Sequence, residues 1–193
     1  APIPVRSSPA GRGEFRPPDA DAGRLGRIRR YLVGERALDG SAIDARMAAG
    51  DVYADARGNA VFLLRDGTGH PVGAELRGTS AHRWRGMAAG SRKDRGAFAV
   101  GPDDAQGAIL CESAIDALSC AMLWPDRLCL STSGARANPG WLGDLLRRGM
   151  QVSCAFDADA TGDDLAKVLI ALSPAVVRLR PTRHDWNDVV RAR

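Results

Sequence analysis

Residues 150–162 read MQVSCAFDADATG: an apolar run, then Asp157 and Asp159 separated by one residue, then Gly162 three residues on. A short apolar run bounded by turn residues is a buried strand, and the apolar positions of 161–172 recur at helical spacing behind it. Outward from this stretch the same rhythm repeats. The apolar runs AILCE (108–112), RLCLS (127–131) and AVVRLR (175–180) alternate with helical segments at 113–123 and 138–148. Strands alternating with helices predict an α/β fold, a parallel sheet with covering helices.

Upstream the pattern differs. Between 52 and 100 lie five short β runs, VYAD, NAVFLLRD, HPVGAELRG, HRWRGM and GAFAV, with turn-like connections at 57–59 and 66–69. They predict a small antiparallel sheet. Before them, Leu25, Ile28, Leu32 and Val33 follow helical spacing over 19–34, with Asp19 or Asp21 as a cap, and a second helix spans 41–49. Five prolines among residues 1–18 give a flexible leader or linker. The expected organisation is therefore a leader (1–18), a small α+β subdomain (19–107) and a main α/β domain (108–193).

With 45% hydrophobic residues the 193-residue chain can bury a core, so wholesale disorder is excluded. The four cysteines form no CxxC pair, which argues against a structural zinc site or a disulfide scaffold. No apolar run reaches the roughly 20 residues of a membrane span, and no charged-then-apolar opening marks a signal, so a cytoplasmic protein is expected. The net charge of +4 is unevenly spread. Residues 77–96 carry Arg77, Arg83, Arg85, Arg92, Lys93 and Arg95 against Asp94 alone, interleaved with His82 and Trp84. That composition suits a phosphate backbone with a stacked base, or equally an ordinary solvated face. The arginines of 24–36 share no helix face and are assigned to solvent.

In open parallel sheets the ligand site lies beyond the carboxyl ends of the strands. Glu112 ends one strand, with Asp116 a helical turn later; Ser131-Thr132-Ser133-Gly134 ends the next; Asp157 and Asp159 end the third; His184-Asp185-Trp186-Asn187-Asp188 follows the fourth. Converging carboxylates repel unless a cation lies among them, and Mg2+ takes oxygen ligands of this kind. Each acid has an alternative role as a helix cap, and Asp159, Asp163 and Asp164 could all serve the start of the helix near 161. None of the three histidines has a partner at ligand spacing along the chain.

These residues resemble the TOPRIM domain shared by DnaG-like primases, topoisomerases, OLD-family nucleases and RecR-like proteins. Glu112 matches the family's strand-ending glutamate, Asp157 and Asp159 its DxD, and Gly162 the glycine after it. The primases are the nearer likeness: 59–78 is similar to the opening of the primase core, ending at Arg77, and 131–137 to its Thr-Ser-Gly turn. Phrases such as YADARGNAVF and CESAIDALS are similar to TOPRIM proteins of plasmids and mobile elements that accompany relaxases. The resemblance implies a TOPRIM-type, Rossmann-like sheet preceded by a small α+β subdomain. It also implies catalytic Glu112, Asp157 and Asp159, and metal ligation by these with Asp116 and Asp185, for Mg2+ or else Mn2+. Arg77, Arg83, Arg85, Arg92 and Lys93 would hold phosphate.

The implied activity is primase-type nucleotidyl transfer from nucleoside triphosphates on single-stranded DNA, in DNA replication or plasmid mobilisation. Expected partners are single-stranded DNA or an RNA/DNA hybrid and a helicase or relaxase, with no membrane. A metal-dependent nuclease and a non-catalytic single-stranded DNA-binding module remain the alternatives. The sequence departs from the pattern in having no Cys/His zinc module, and it carries no GxxxxGK[ST] phosphate loop of a helicase.

Overall fold

The computed structural model describes residues 15–80, 84–134, 136 and 138–193. Arg83 and His82 of the basic segment, residues 1–14 of the expected leader, and Ala135 and Ala137 of the small-residue turn lie outside them. Where the leader is described it is docked: Phe15 packs on a small apolar cluster, and the Pro18 carbonyl accepts a bond from the Tyr53 hydroxyl at 2.9 Å.

The chain forms two sheets. Helix α1 (Leu25–Arg30), extended at both ends by a tight and a wide helical turn, and helix α2 (Gly40–Ala48), capped by Asp39, precede the first. That sheet is an antiparallel meander of β1 (Val52–Ala54), β2 (Ala60–Arg65), β3 (Pro71–Arg77) and β4 (Arg85–Met87). The two-residue period of a strand decides its faces. Ala60, Phe62 and Leu64 of β2 enter the large core, while Val61 and Leu63 meet Ala74 and Ala88 on the other side.

The second sheet has the order β5-β7-β6-β8-β9, from β5 (Ala99–Val100), β6 (Gly107–Cys111), β7 (Leu128–Ser131), β8 (Gln151–Ala155) and β9 (Val177–Arg178). β6, β7, β8 and β9 are parallel, and β6 is fully buried at the centre. Its helices are α3 (Ala114–Leu123), α4 (Leu142–Arg147), α5 (Ala160–Leu172) and α6 (Trp186–Arg191). α4 starts later than the spacing of 138–148 suggests, because Pro139 and Gly140 form a turn in which Gly140 passes against the Asp94 carbonyl, 2.4 Å from where a Cβ would sit.

One expectation is overturned. The run 96–100 does not complete the antiparallel sheet, to which it adds a single bridge between Arg65 and Ala97. β5 pairs antiparallel with β7 as the edge of the parallel sheet. The switch lets Phe98 bury fully against Phe62, ring centroids 5.5 Å apart at 79°, while its carbonyl accepts the Ser131 amide at 2.9 Å. A single apolar cluster, with Phe62 and Val72 on one side and Ile109, Ile115 and Leu118 on the other, thereby joins the two sheets. Trp186 is part of it, its Nε1 bonded to the Ala155 carbonyl at 2.9 Å and its ring edge-on to Trp124. Among the described residues no helix is long and apolar enough to cross a membrane.

Candidate metal and phosphate cleft

The carboxyl ends of β6, β7 and β8 open into a cleft of about 500 Å³ whose far wall is β3 and β4. One side is acidic, with Glu112, Asp116, Asp157, Asp159 and Asp185; the other carries Arg77, Arg85 and Lys93. Five of the expected acids and three of the expected cations thus meet in one place. Arg92 lies apart from them and pairs with Asp94 at 3.4 Å.

Each acid is held differently. Glu112 Oε1 accepts the Asp157 amide at 3.1 Å, tying two strand ends together. Burial pushes the Glu112 carboxyl up, with Asp159 adding to the shift and Arg178 and Arg85 opposing it. Asp116 is 6% exposed, and both its oxygens are engaged: Oδ2 accepts from the Ser113 hydroxyl at 2.5 Å and Oδ1 from the Asn187 amide at 3.2 Å. Burial, reinforced by Asp185, raises it to about 6. It therefore clamps α3 to α6 as well as lining the cleft. Asp159 caps α5 through Oδ1, 2.8 Å from the Gly162 amide, and Asp185 caps α6 through Oδ1, 2.6 Å from the Asp188 amide. The capping and cleft-lining roles coexist, because a carboxylate has two oxygens.

Asp157 stands out. Its Oδ1 is buried and lacks a hydrogen-bond partner among the described residues. Burial first, then the charges of Asp116, Glu112, Asp185 and Asp159, push its carboxyl up to about 8. A buried acceptor with nothing to accept from costs free energy unless something positive faces it. A divalent cation meets that need, so the donor set fits one; Asp157 and Asp159 would hold it, with Glu112 beside them.

Around the acids the backbone is closely packed. A Cβ on Gly162 would sit 2.2 Å from the Asp157 carbonyl oxygen, so only glycine lets α5 start against the aspartate turn. Arg178 binds the Phe156 and Asp157 carbonyls at 2.7 and 2.8 Å and pairs with Asp163, and Arg180 binds the Ala158 carbonyl at 3.0 Å. At the end of β7, Ser133 takes a left-handed φ of 56° and Gly134 one of 103°, and the Lys93 ammonium donates to the Ser133 carbonyl at 2.6 Å.

Three residues that line the cleft were given no role there by the sequence reading. Glu75, on β3, crosses to the parallel sheet and accepts from the Ser131 and Ser133 hydroxyls and, at 3.0 Å, from the Ala114 amide at the start of α3. Nothing in its alternating strand distinguished it. Arg36, assigned to solvent with its neighbours, lines the cleft and reaches the Asn187 side chain at 3.4 Å, because the widened turn after α1 swings it inward. His184 has a side-chain nitrogen within 4.8 Å of carboxylate oxygens of both Asp157 and Asp159. Its proximity is made by chain reversal and has no counterpart in linear spacing.

Residues 109–190 match the Toprim-like family model. The chain carries a Toprim-like domain. Ahead of that domain, residues 30–105 match a family described as protein of unknown function, DUF3991. A 65 kDa protein of Zymomonas mobilis subsp. mobilis is 32% identical over 161 residues, an alignment taking in 72% of this chain and 27% of the relative. The chain thus spans about a quarter of that protein's length. The Toprim-like domain and the sheet before it together superpose on the primase fragment of the bacteriophage T7 primase-helicase protein with a TM-score of 0.60, 17% identity, and 96% and 77% of the two chains covered. A DnaG primase catalytic domain bound to ssDNA gives a TM-score of 0.58 at 17% identity, covering 87% of this chain and 70% of that one. The fold is that of a primase core, α/β with a parallel sheet, helices and a preceding small domain.

Proposed function

We propose that the chain is the nucleotidyl-transfer core of a primase-type enzyme that extends a primer from nucleoside triphosphates on single-stranded DNA. The observation that carries the reading is the cleft itself, with Arg77, Arg85 and Lys93 facing Glu112, Asp157 and Asp159 across about 500 Å³. Phosphoryl transfer needs little covalent help from a protein; it needs positioning and charge. Divalent ions, Mg2+ or Mn2+, would neutralise the triphosphate and lower the barrier to attack on its α-phosphorus. Asp157 and Asp159 would hold them. Arg77 and Arg85 would bind phosphate oxygens on the opposite wall, close enough to the acids to lower the carboxyl affinities of Asp116 and Glu112 for protons. Lys93, fixed by the Ser133 carbonyl, would place a cation at the β7 turn.

The basic part, 19–107, would then present the template side, and the domain at 108–193 the reacting side. The resemblance of the fold to a primase domain bound to ssDNA supports this substrate, and a helicase or relaxase is the partner such a core would serve. In a primer-synthesis assay on a single-stranded template with Mg2+, the wild-type chain is expected to incorporate nucleotides. Asp157→Asn with Asp159→Asn should reduce incorporation at least about a hundredfold, as expected when a transition-state charge partner is lost. Equal incorporation by the two proteins would overturn the reading. Cleavage of a labelled oligonucleotide in the absence of nucleotides would favour a nuclease instead.

A further inference from the structure

The acids do not account for every donor at the DxD turn. A nitrogen of the exposed His184 imidazole lies within 4.8 Å of an oxygen of Asp157 and an oxygen of Asp159, and those oxygens lie within the same distance of each other. Three donors about 2.2 Å from one cation lie about 3.1–3.8 Å apart, so side-chain movements of about an ångström would bring donors this close onto a shared ion. The placement of His184 is also built in. Its carbonyl accepts the Ala158 amide at 2.8 Å, in the middle of the DxD turn. The next residue, Asp185, caps α6, and the one after, Trp186, is anchored to the Ala155 carbonyl on β8. His184 and Trp186 are thus fastened to the turn and strand that carry Asp157 and Asp159, while Asp185 between them starts α6.

We propose that His184 is a direct ligand of the cation held by Asp157 and Asp159, and that it biases this site toward a divalent transition metal over Mg2+. The inference rests on the metal reading of the cleft and refines it. Mg2+ demands an octahedron of hard oxygen donors, whereas an imidazole nitrogen suits Fe2+, Ni2+ and Zn2+ and is accepted by Mn2+, the first and weakest member of that series. A site of two carboxylates and one imidazole therefore separates the two classes. Its remaining positions stay open to water and phosphate on the cleft side.

The test uses Mn2+ and Mg2+ alone, on the metal-free chain, without substrate. Free Mn2+ is read by its electron paramagnetic resonance signal, Mg2+ by competition, and directly bound nitrogen by the electron spin-echo modulation of bound Mn2+. Wild type is expected to prefer Mn2+ and to show nitrogen coupling. His184→Ala should lose the coupling and at least about tenfold in Mn2+ affinity, a loss seen even for residues that only support a ligand. Its Mg2+ affinity should change by less than about twofold, since Mg2+ makes no use of the imidazole. His184→Gln, which offers an oxygen, should keep Mg2+ binding and also lose the coupling. Circular dichroism of the metal-free variants is expected to match wild type, because the side chain is exposed.

If Mn2+ binds without nitrogen coupling, or if the Mn2+ to Mg2+ preference survives His184→Ala, the histidine is no ligand while the metal reading stands. If neither ion binds wild type, both fall. Loss of all binding in Asp157→Asn, Asp159→Asn beside an unaltered His184→Ala would place the site on the carboxylates alone and overturn the proposal.

Discussion

A carboxyl raised to about 8 at Asp157 is a statement about stability as well as chemistry. The folded chain holds that proton more tightly than the unfolded chain does, whose aspartate titrates near its ordinary value of 3.8. The contribution to stability is therefore fully present below pH 3.8 and is lost as the pH rises through about 8. Asp116, raised to about 6, acts in the same direction over a lower window. A cation binding the folded state reverses the loss, and does so most where the carboxylates are ionised. Thermal unfolding should find the metal-free chain less stable at pH 8 than at pH 6, and Mg2+ should raise the midpoint more at pH 8. Asp157→Asn should raise the metal-free midpoint at pH 8 and abolish most of the Mg2+ effect. A metal-free midpoint that climbs from pH 6 to pH 8 would contradict this account. Glu75 differs in being satisfied, its carboxylate accepting from two hydroxyls and an amide. Glu75→Gln removes one acceptor and turns an NH2 toward donors, so it should cost about 1–3 kcal/mol by chemical denaturation. A change within error would mean that those hydroxyls find other partners.

Gly162 governs the junction of β8 with α5. Any side chain there meets the Asp157 carbonyl oxygen at 2.2 Å, and backbone cannot yield as a flexible side chain would. Gly162→Ala should destabilise the chain by about 1–3 kcal/mol, the range for forcing atoms into a packed site. It should also weaken cation binding, because the turn that aims Asp157 must shift; unchanged binding by calorimetry would separate the turn's geometry from its ligands. This element was legible beforehand, since an apolar strand, two acids and a glycine at fixed spacing involve only local chemistry. An acidic cap at the start of α5 was legible for the same reason, and of the three acids near it Asp159 takes that place. What escaped depended on contacts distant along the chain. β5 is two residues long, and its sheet was decided by Phe98 finding Phe62 and by the Ser131 amide. Glu75 alternates like any strand residue, and only the packing of β3 against the β7 turn gives its carboxylate two serines.

At the scale of the molecule, the two sheets put opposite charge on facing walls, a division that the totals conceal. Residues 1–107 carry 17 basic and 13 acidic side chains, against 10 and 10 in the remainder. Many of the arginines are spent on neighbours: Arg24 on Asp21, Arg29 on Asp44, Arg65 on Asp51, Arg178 and Arg180 on Asp163. Arg77 and Arg85 are not among these ion pairs, and both face the cleft. Trp84, half exposed beside them, lays its ring over Gly86, whose missing side chain makes room for it at 2.6 Å. An aromatic face next to guanidinium groups that face the cleft and form no ion pair among the described residues is the arrangement that holds a single strand by stacking and by charge. Each phosphate neutralised releases counterions, so for a single strand the slope of log affinity against log salt falls by about 0.7 per contact removed. Arg85→Ala should therefore weaken binding to single-stranded DNA and flatten the salt slope by about that amount. Trp84→Ala should weaken binding and leave the slope unchanged, because stacking releases no ions. Arg92→Ala, at a residue paired with Asp94 outside the cleft, should do neither. If Arg92→Ala flattens the slope as much as Arg85→Ala does, the strand follows the outer surface of the basic segment and the cleft is not its path.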